Sequence, residues 1–330
     1  MLYRFLKKQI TDTVYTRADD TGAVFYFSAD DFPGLHRDPC PVKSSRGHML
    51  DGYFYSYDGC REDRLVVFEH GMGSGHTGYM KEIERLCAHG FRVYAYDHTG
   101  CMNSGGADTG GFAQSLIDCS DVISALQADP DLAARPISVI GHSWGGLSSV
   151  NIAALHPQVS HIVALAPPIS APQLITHMLP PIFSRYARKF SEEERQKNPD
   201  TYDCDARQSL WKTAAHVLIL HSADDPVVSA DHHFKPLREA LADRPNTRFV
   251  LLSDKAHNPN YTEDAVQYKD AFFAEYKDAM KKKQLVTEEQ KEAFKKKYDW
   301  NRMTAQDDVV WKMIFETLDK PVPGEADHAE

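Results

Sequence analysis

The sequence predicts an α/β fold: a mostly parallel central sheet with helices on both faces and an inserted cap. Three observations carry that expectation. Short, continuously apolar runs recur along the chain; segments of helical period lie between them; one long stretch breaks the alternation. A strand covered on both faces has no solvent side, so its residues are apolar throughout rather than alternately.

The elements follow in order. Residues 1–40 carry no clear period. MLDGYFYSYDG (49–59) and RLVVFEHG (64–71) are extended pieces, the second a β-rich run ending in glycine. In HTGYMKEIERLCAHG, Met80, Ile83, Leu86 and Cys87 have helical spacing, and Gly90 suits a C-cap. FRVYAYD (91–97) is a strand. Phe112, Leu116, Cys119, Ile123 and Leu126 share one helix face. PISVIG (136–141) is a strand, and WGGLSSVNIAAL a helix of small residues that packs close to a sheet. HIVALAP (161–167), HVLILHS (216–222) and RFVLLS (248–253) complete the strands.

Two parts fall outside the alternation. Residues 167–215 are too long for a plain connection and hold an apolar piece, LITHMLPPIFSRYARKF, then a charged one, SEEERQKNPDTYDCD. They are expected to form a cap. After residue 260 come three helices, about 263–282, 287–298 and 307–318, with Thr287 and Gln290 as a capping box. The expected division is a core of 1–166 and 216–262, a cap of 167–215 and a C-terminal helical extension of 263–330. The stripe Val310, Met313, Ile314 and Leu318 requires an apolar partner, either the cap or a second copy in a homo-oligomer. The last residues, PVPGEADHAE, read as frayed.

Bulk properties narrow the function. A chain of 330 residues, 42% apolar, can build one large core or a core with a cap. Its net charge of −10 argues against nucleic-acid binding, which needs a basic face. No run approaches the ~20 apolar residues that cross a bilayer, and the start has no apolar stretch of leader length. Six scattered cysteines with no Cys-x-x-Cys pair read as free thiols in a reducing, cytoplasmic setting.

The chemistry gathers around VIGHSWGGLSS (139–149). Gly141-His142-Ser143-Trp144-Gly145 lies between a strand and a helix, the setting of a nucleophile elbow. So sharp a turn strains the serine backbone and crowds its neighbours, which glycines relieve. It lifts the serine oxygen clear of the sheet at a helix N-terminus, which favours developing negative charge. A serine hydroxyl needs a base, and the base an orienting acid. In the chain order serine, acid, histidine, Asp224 and Asp225 follow one strand, and His257 follows the last. Asp225, before Pro226, is the preferred acid, and Asp224 is assigned to the turn. His232 and His233 fall in the next helix and read as surface residues; no carboxylate or cysteine stands at ligand spacing from them, so no metal is expected. The oxyanion site needs two backbone N–H groups, expected from Trp144 and from Met72 in EHGMGSGHTGY. That loop lacks the Gly-Lys-Ser/Thr ending of a phosphate cradle.

The ordered set HGMG, YDHTGCMNSGG, GHSWGG, ADDPVV and KAHNP resembles the α/β-hydrolase superfamily over about residues 45–260, most closely its monoglyceride lipases, carboxylesterases and related aminopeptidases. The resemblance implies Ser143 as nucleophile, Asp225 as acid, His257 as base, and Met72 and Trp144 as oxyanion donors. It implies cofactor-free cleavage of a small-molecule carboxylic ester. Three features depart from the lipases: Cys101-Met102-Asn103 in the second loop, Trp144 in place of a methionine, and the helices after residue 260. Serine at the elbow sets the chain apart from relatives that use aspartate or cysteine there. The cap is expected to supply an apolar pocket from Ile169, Leu174, Ile175, Met178, Leu179, Ile182 and Phe183. An aminopeptidase or amidase would need an acid there for the substrate amine, with Glu192–Glu194, Asp200, Asp203 and Asp205 available. A binding protein that keeps the fold without turnover is the other alternative.

Overall fold

The computed structural model describes residues 14–324. Most of the N-terminal stretch searched for a leader, and the final residues read as frayed from 325 on, lie outside the described residues. Among the described residues there are ten strands: β1 (His36–Pro39), β2 (Val42–Lys43), β3 (Met49–Leu50), β4 (Gly52–Ser56), β5 (Leu65–Glu69), β6 (Arg92–Tyr96), β7 (Ile137–His142), β8 (His161–Leu165), β9 (His216–Ser222) and β10 (Thr247–Leu252). The α-helices are α1 (Met80–Ala88), α2 (Gln114–Ala128), α3 (Trp144–Asn151), α4 (Ala171–Met178), α5 (Ser184–Lys197), α6 (Ala206–Ser209), α7 (Phe234–Ala240), α8 (Glu263–Lys281), α9 (Glu288–Lys295), α10 (Trp300–Met303) and α11 (Asp308–Leu318).

Eight strands form one sheet in the order β1-β4-β6-β5-β7-β8-β9-β10; β2 and β3 pair separately. From β6 to β10 every neighbour is parallel, while β1 and β4 join antiparallel at one edge. The period of two sends alternate residues of each strand to opposite faces. Val67, Val139, Ile162, Val217 and Ile219 pack with α2, α3 and α7 through Leu116, Ile123, Val150 and Phe234. Val66, Phe68, Ile140, Val163, Leu218 and Leu220 pack on the other face with Ile83 and Leu86 of α1. The mostly parallel sheet with helices on both faces is therefore the observed architecture.

The same second face holds Val310, Trp311, Ile314 and Leu318 of α11. This corrects the sequence-based picture of 263–330 as an extension with an unpartnered stripe. The last helix belongs to the core, and the stripe is buried within the chain, so it offers no homo-oligomer surface. The excursion is shorter, from residue 262 to 304, and its two ends meet. Tyr261 and Gln306 form an antiparallel bridge, the Thr262 amide donates to Ala305 C=O (3.0 Å), and Lys255 Nζ pairs with Asp307 (2.6 Å). Phe272, Leu285, Phe294 and Met303 give the excursion a small core of its own.

The unreadable N-terminal arm owes its place to polar contacts rather than to a period. Arg17 donates to the carbonyls of Met102 (2.7 Å), Ser104 (3.0 Å) and Gly106 (2.7 Å), and Ala18 bridges to Cys101. His233 is a second correction. It lies before α7 rather than in it, is buried, and accepts from the Ile169 amide (3.3 Å).

The elbow follows from close approach. Ser143 has φ 55° and ψ −111°, a left-handed conformation that costs a non-glycine residue about 1–3 kcal/mol. A Cβ on Gly145 would sit 2.1 Å from the Glu69 carbonyl oxygen of β5, and one on Gly141 2.3 Å from the Gly145 oxygen. Both obstacles are backbone and cannot swing aside.

Gly145→Ala is therefore expected to cost about 1–3 kcal/mol or more, through a shifted α3. Ile314→Ala is expected to cost about 2–5 kcal/mol, because Ile314 is fully buried against the sheet. Denaturant unfolding measures both. Wild-type stability in the second variant would show that α11 is not part of the core.

Candidate active site

Four loops at the carboxyl ends of parallel strands converge, where an open α/β sheet gathers functional groups. Ser143 follows β7, His70–Met72 follow β5, Asp225 follows β9 and His257 follows β10. The structure brings the three singled-out side chains into one line. His257 Nε2 lies 2.8 Å from Ser143 Oγ, and its Nδ1 lies 2.8 Å from Asp225 Oδ2. In the matching tautomer Nδ1–H donates to the carboxylate and Nε2 accepts from the serine hydroxyl.

Asp225 is held on its other side as well. Its Oδ1 accepts from the amides of Val227 (2.8 Å) and Val228 (2.9 Å), and its side chain is buried. Asp224 points elsewhere: it accepts from the Ser222 hydroxyl and from the Ala256 amide (3.2 Å), tying the acid loop to the histidine loop. The choice between the two acids is thus made by the turn that fixes Asp225.

Trp144 opens α3, so its amide has no acceptor a turn earlier in the helix. Its indole is buried beneath the elbow, with Nε1 donating to Phe112 C=O (2.7 Å). Met72 lines the same cavity as Ser143. The loop carrying it is braced by His70, whose Nδ1 donates to Gly71 C=O (2.8 Å) while Nε2 accepts from the His98 amide (2.8 Å). Burial pushes His70 down to about 3, with the nearby His98 adding to the effect, so it holds this neutral form. Asp97 anchors the far end of the loop, accepting from the amide (2.9 Å) and Nδ1 (2.7 Å) of His76. Burial alone would raise the Asp97 carboxyl, but the hydrogen bonds from His76 outweigh it and hold it below its ordinary value.

His142, the residue before the serine, is a part that sequence reasoning passed over. Its Nε2 donates to His257 C=O (2.7 Å) and its Nδ1 accepts from Tyr79 O–H (2.8 Å), which itself accepts from the Gly71 amide (3.1 Å). One imidazole thereby links the elbow, the loop after β5 and the histidine loop. Burial, and then the neighbouring His257, depress His142 far below the usual imidazole range, so it stays neutral. Its only sequence signal is its position inside the Gly-x-Ser-x-Gly motif.

The expected cap pocket is corrected. A cavity of about 450 Å³ opens at Ser143, His142, His257 and Met72, and its wall holds none of Ile169, Leu174, Met178 and Phe183. Ile169 is wholly buried in the main core. Leu174 and Ile175 pack with Trp144 and Leu147, which anchors residues 167–215 beside α3. Met178 and Ile182 face solvent. The roof comes instead from the N-terminal arm (Val24–Phe27) and from the 262–304 excursion (Phe272, Tyr276, Trp300). Apolar character alone does not separate packing residues from pocket residues, and these two roof segments stand far apart in sequence. Among the described residues no three His, Cys, Asp or Glu side chains group as a metal site requires, and no helix is long and apolar enough to cross a membrane.

Comparison with known proteins agrees with this architecture. A family model described as serine aminopeptidase, S33, matches residues 61–209, a little under half of the chain. A protein named as a non-heme haloperoxidase, from Mycobacterium phage D29, is 34% identical over 118 residues, which are 36% of this chain and 40% of the relative. A protein named as the carbamate hydrolase RutD, from Serratia proteamaculans, is 31% identical over 94 residues, 28% of this chain and 33% of that one. The chain thus spans about two fifths or less of the length of these curated relatives. The solved structure of the Pyrococcus furiosus esterase Pf2001 has 18% identity and a TM-score of 0.57, covering 81% of this chain and 95% of that one, which is a likeness of fold. The chain therefore has the α/β-hydrolase fold, and over residues 61–209, the stretch that carries the elbow, it is similar to the serine aminopeptidase family.

Proposed function

We propose that the protein is a serine hydrolase that cleaves carboxylic esters of small molecules through an acyl-enzyme. The observation that carries this reading is the unbroken line Ser143 Oγ, His257, Asp225, with 2.8 Å at each step. His257 accepts the serine proton as Oγ attacks the acyl carbonyl. Asp225 holds the imidazole in the required tautomer and offsets the charge it gains. The Met72 and Trp144 amides receive the developing oxyanion; losing one such donor costs about 3 kcal/mol of transition-state stabilisation. His257 then protonates the leaving alcohol and activates the water that releases the acid.

A cavity of about 450 Å³ with an aromatic wall supports an ester of modest size rather than a polymer. The aminopeptidase alternative rests on acids of 192–205. Glu194 is buried and accepts from the Ala113 amide (3.0 Å), Asp203 pairs with Arg195, and Asp205 pairs with Arg207. None of these lines the cavity at Ser143. The acids named for a substrate amine thus stand away from Ser143, which supports the ester over that arrangement. The six free thiols support a cytoplasmic location.

The test is a rate panel of p-nitrophenyl esters from acetate to palmitate, beside aminoacyl anilides, with fluorophosphonate labelling of the folded protein. Ester turnover and labelling at Ser143 are expected. Ser143→Ala should lose labelling and lower kcat by about 10⁶, and Asp225→Asn by about 10⁴. Folded protein that neither labels nor turns over any substrate in the panel would overturn the reading in favour of a binding protein. Anilides cleaved faster than every ester would replace the ester with the amide.

A further inference from the structure

The cavity beside Ser143 carries a feature that ester cleavage as such does not use. Lys269 of α8 reaches its wall together with Tyr26, Phe272, Tyr276 and Trp300. Its Nζ donates to Asn258 Oδ1 (2.8 Å) and lies 4.6 Å over the Tyr261 ring. Asn258 directly follows His257, so the ammonium stands one residue from the proposed base. Among the described residues no carboxylate comes within ion-pair distance of it.

The acids near it are Asp270, beside it on α8, and Glu82 of α1; Asp19 of the N-terminal arm lines the same cavity and pairs with Arg17. Asp270 is exposed to solvent. Glu82 is buried, accepts from Asn260 Nδ2 (3.0 Å), and burial pushes its carboxyl up toward the neutral form. Burial pushes Lys269 down to about 8, against the pull of those two acids, so the ammonium form still prevails at neutral pH. A half-buried ammonium at a cavity wall, with an amide oxygen and a ring face for protein partners, can take an anion as a further partner. Asp19, also in the wall, is paired with Arg17, which leaves that anion to a substrate.

We infer that Lys269 is a specificity-determining residue that selects substrates carrying a free carboxylate on an apolar or aromatic body. Such substrates are hemiesters of dicarboxylic acids, or esters whose alcohol portion bears the carboxylate. The body lies against the aromatic residues of the N-terminal arm and the 262–304 excursion, and the carboxylate meets Nζ while the ester carbonyl lies at Ser143. The inference rests on the proposed hydrolase activity and adds the substrate class to it.

Two matched pairs test it. Mono-p-nitrophenyl glutarate against p-nitrophenyl butyrate places the charge on the acyl side; 4-acetoxybenzoate against phenyl acetate places it on the leaving side. The readout is the ratio of kcat/KM, anionic over neutral, in wild type, Lys269→Met and Lys269→Gln, with fluorophosphonate labelling of Ser143 recorded for each. A charge-assisted contact predicts that the ratio falls about tenfold or more in at least one pair when the ammonium is removed. Lys269→Gln retains a donor for Asn258, so it separates loss of charge from loss of the loop contact and serves if the methionine variant does not fold. Ratios unchanged within about twofold in both pairs, in a variant still labelled at Ser143, would overturn the inference and leave the hydrolase reading standing. Wild type that is neither labelled nor active on any of the four esters would overturn both.

Discussion

The contact on which the site depends is the approach of α3 to β5, where Gly145 meets the Glu69 carbonyl with no room for a single methyl group. That approach lets the chain turn from β7 into α3 within one residue, and the turn holds Ser143 in a left-handed conformation its side chain would not choose. The strain is balanced by tight backbone packing, and helix, strand and the loop after β5 must keep their spacing for it to persist. The serine amide, donating to Leu165 C=O (2.8 Å), extends the brace to β8.

Beneath the elbow lies a polar layer. His98 sits between Glu69 (3.5 Å) and Asp118 (3.4 Å), all fully buried, with the Trp144 ring 4.8 Å away. Asp118 also accepts from the Thr99 amide (2.8 Å) and from Gln114 (2.8 Å), and Glu69 from Tyr96 (2.9 Å) and Ser148 (3.0 Å). Buried ionisable clusters of this kind add little net stability, but breaking one partner leaves the others uncompensated. The layer therefore makes wrong positions of the elbow expensive, and β5, the Asp97 loop, α2 and α3 share its members.

Much of the fold between residues 49 and 260 was legible, because a sheet covered on both faces forces runs such as LVVFE and HVLIL to be apolar throughout. That Ser143, Asp225 and His257 would meet was legible by order and by turn chemistry, which are local properties. The cap pocket was misread because Ile169 and Leu174 are apolar for packing, and a contact with substrate would look the same. The true roof joins an aperiodic arm near residue 25 to helices near 272 and 300, a pairing that no local pattern records. α11 was found as a helix, yet its partner could not be, since a stripe states only that something apolar must cover it.

The clamp at the foot of the 262–304 excursion has a further consequence. Chain that departs and returns through paired residues asks little loop-closure entropy of the core, and its length can change while the core stays put. The loop bearing the imidazole is pinned from below by the lysine–aspartate pair and the two-residue bridge, and the excursion above touches it through Lys269 on Asn258. Natural variation, or a designer, has a socket here: different helical inserts could be exchanged across it, each reshaping the cavity above Ser143, while Ser143, Asp225 and His257 stay registered to the sheet.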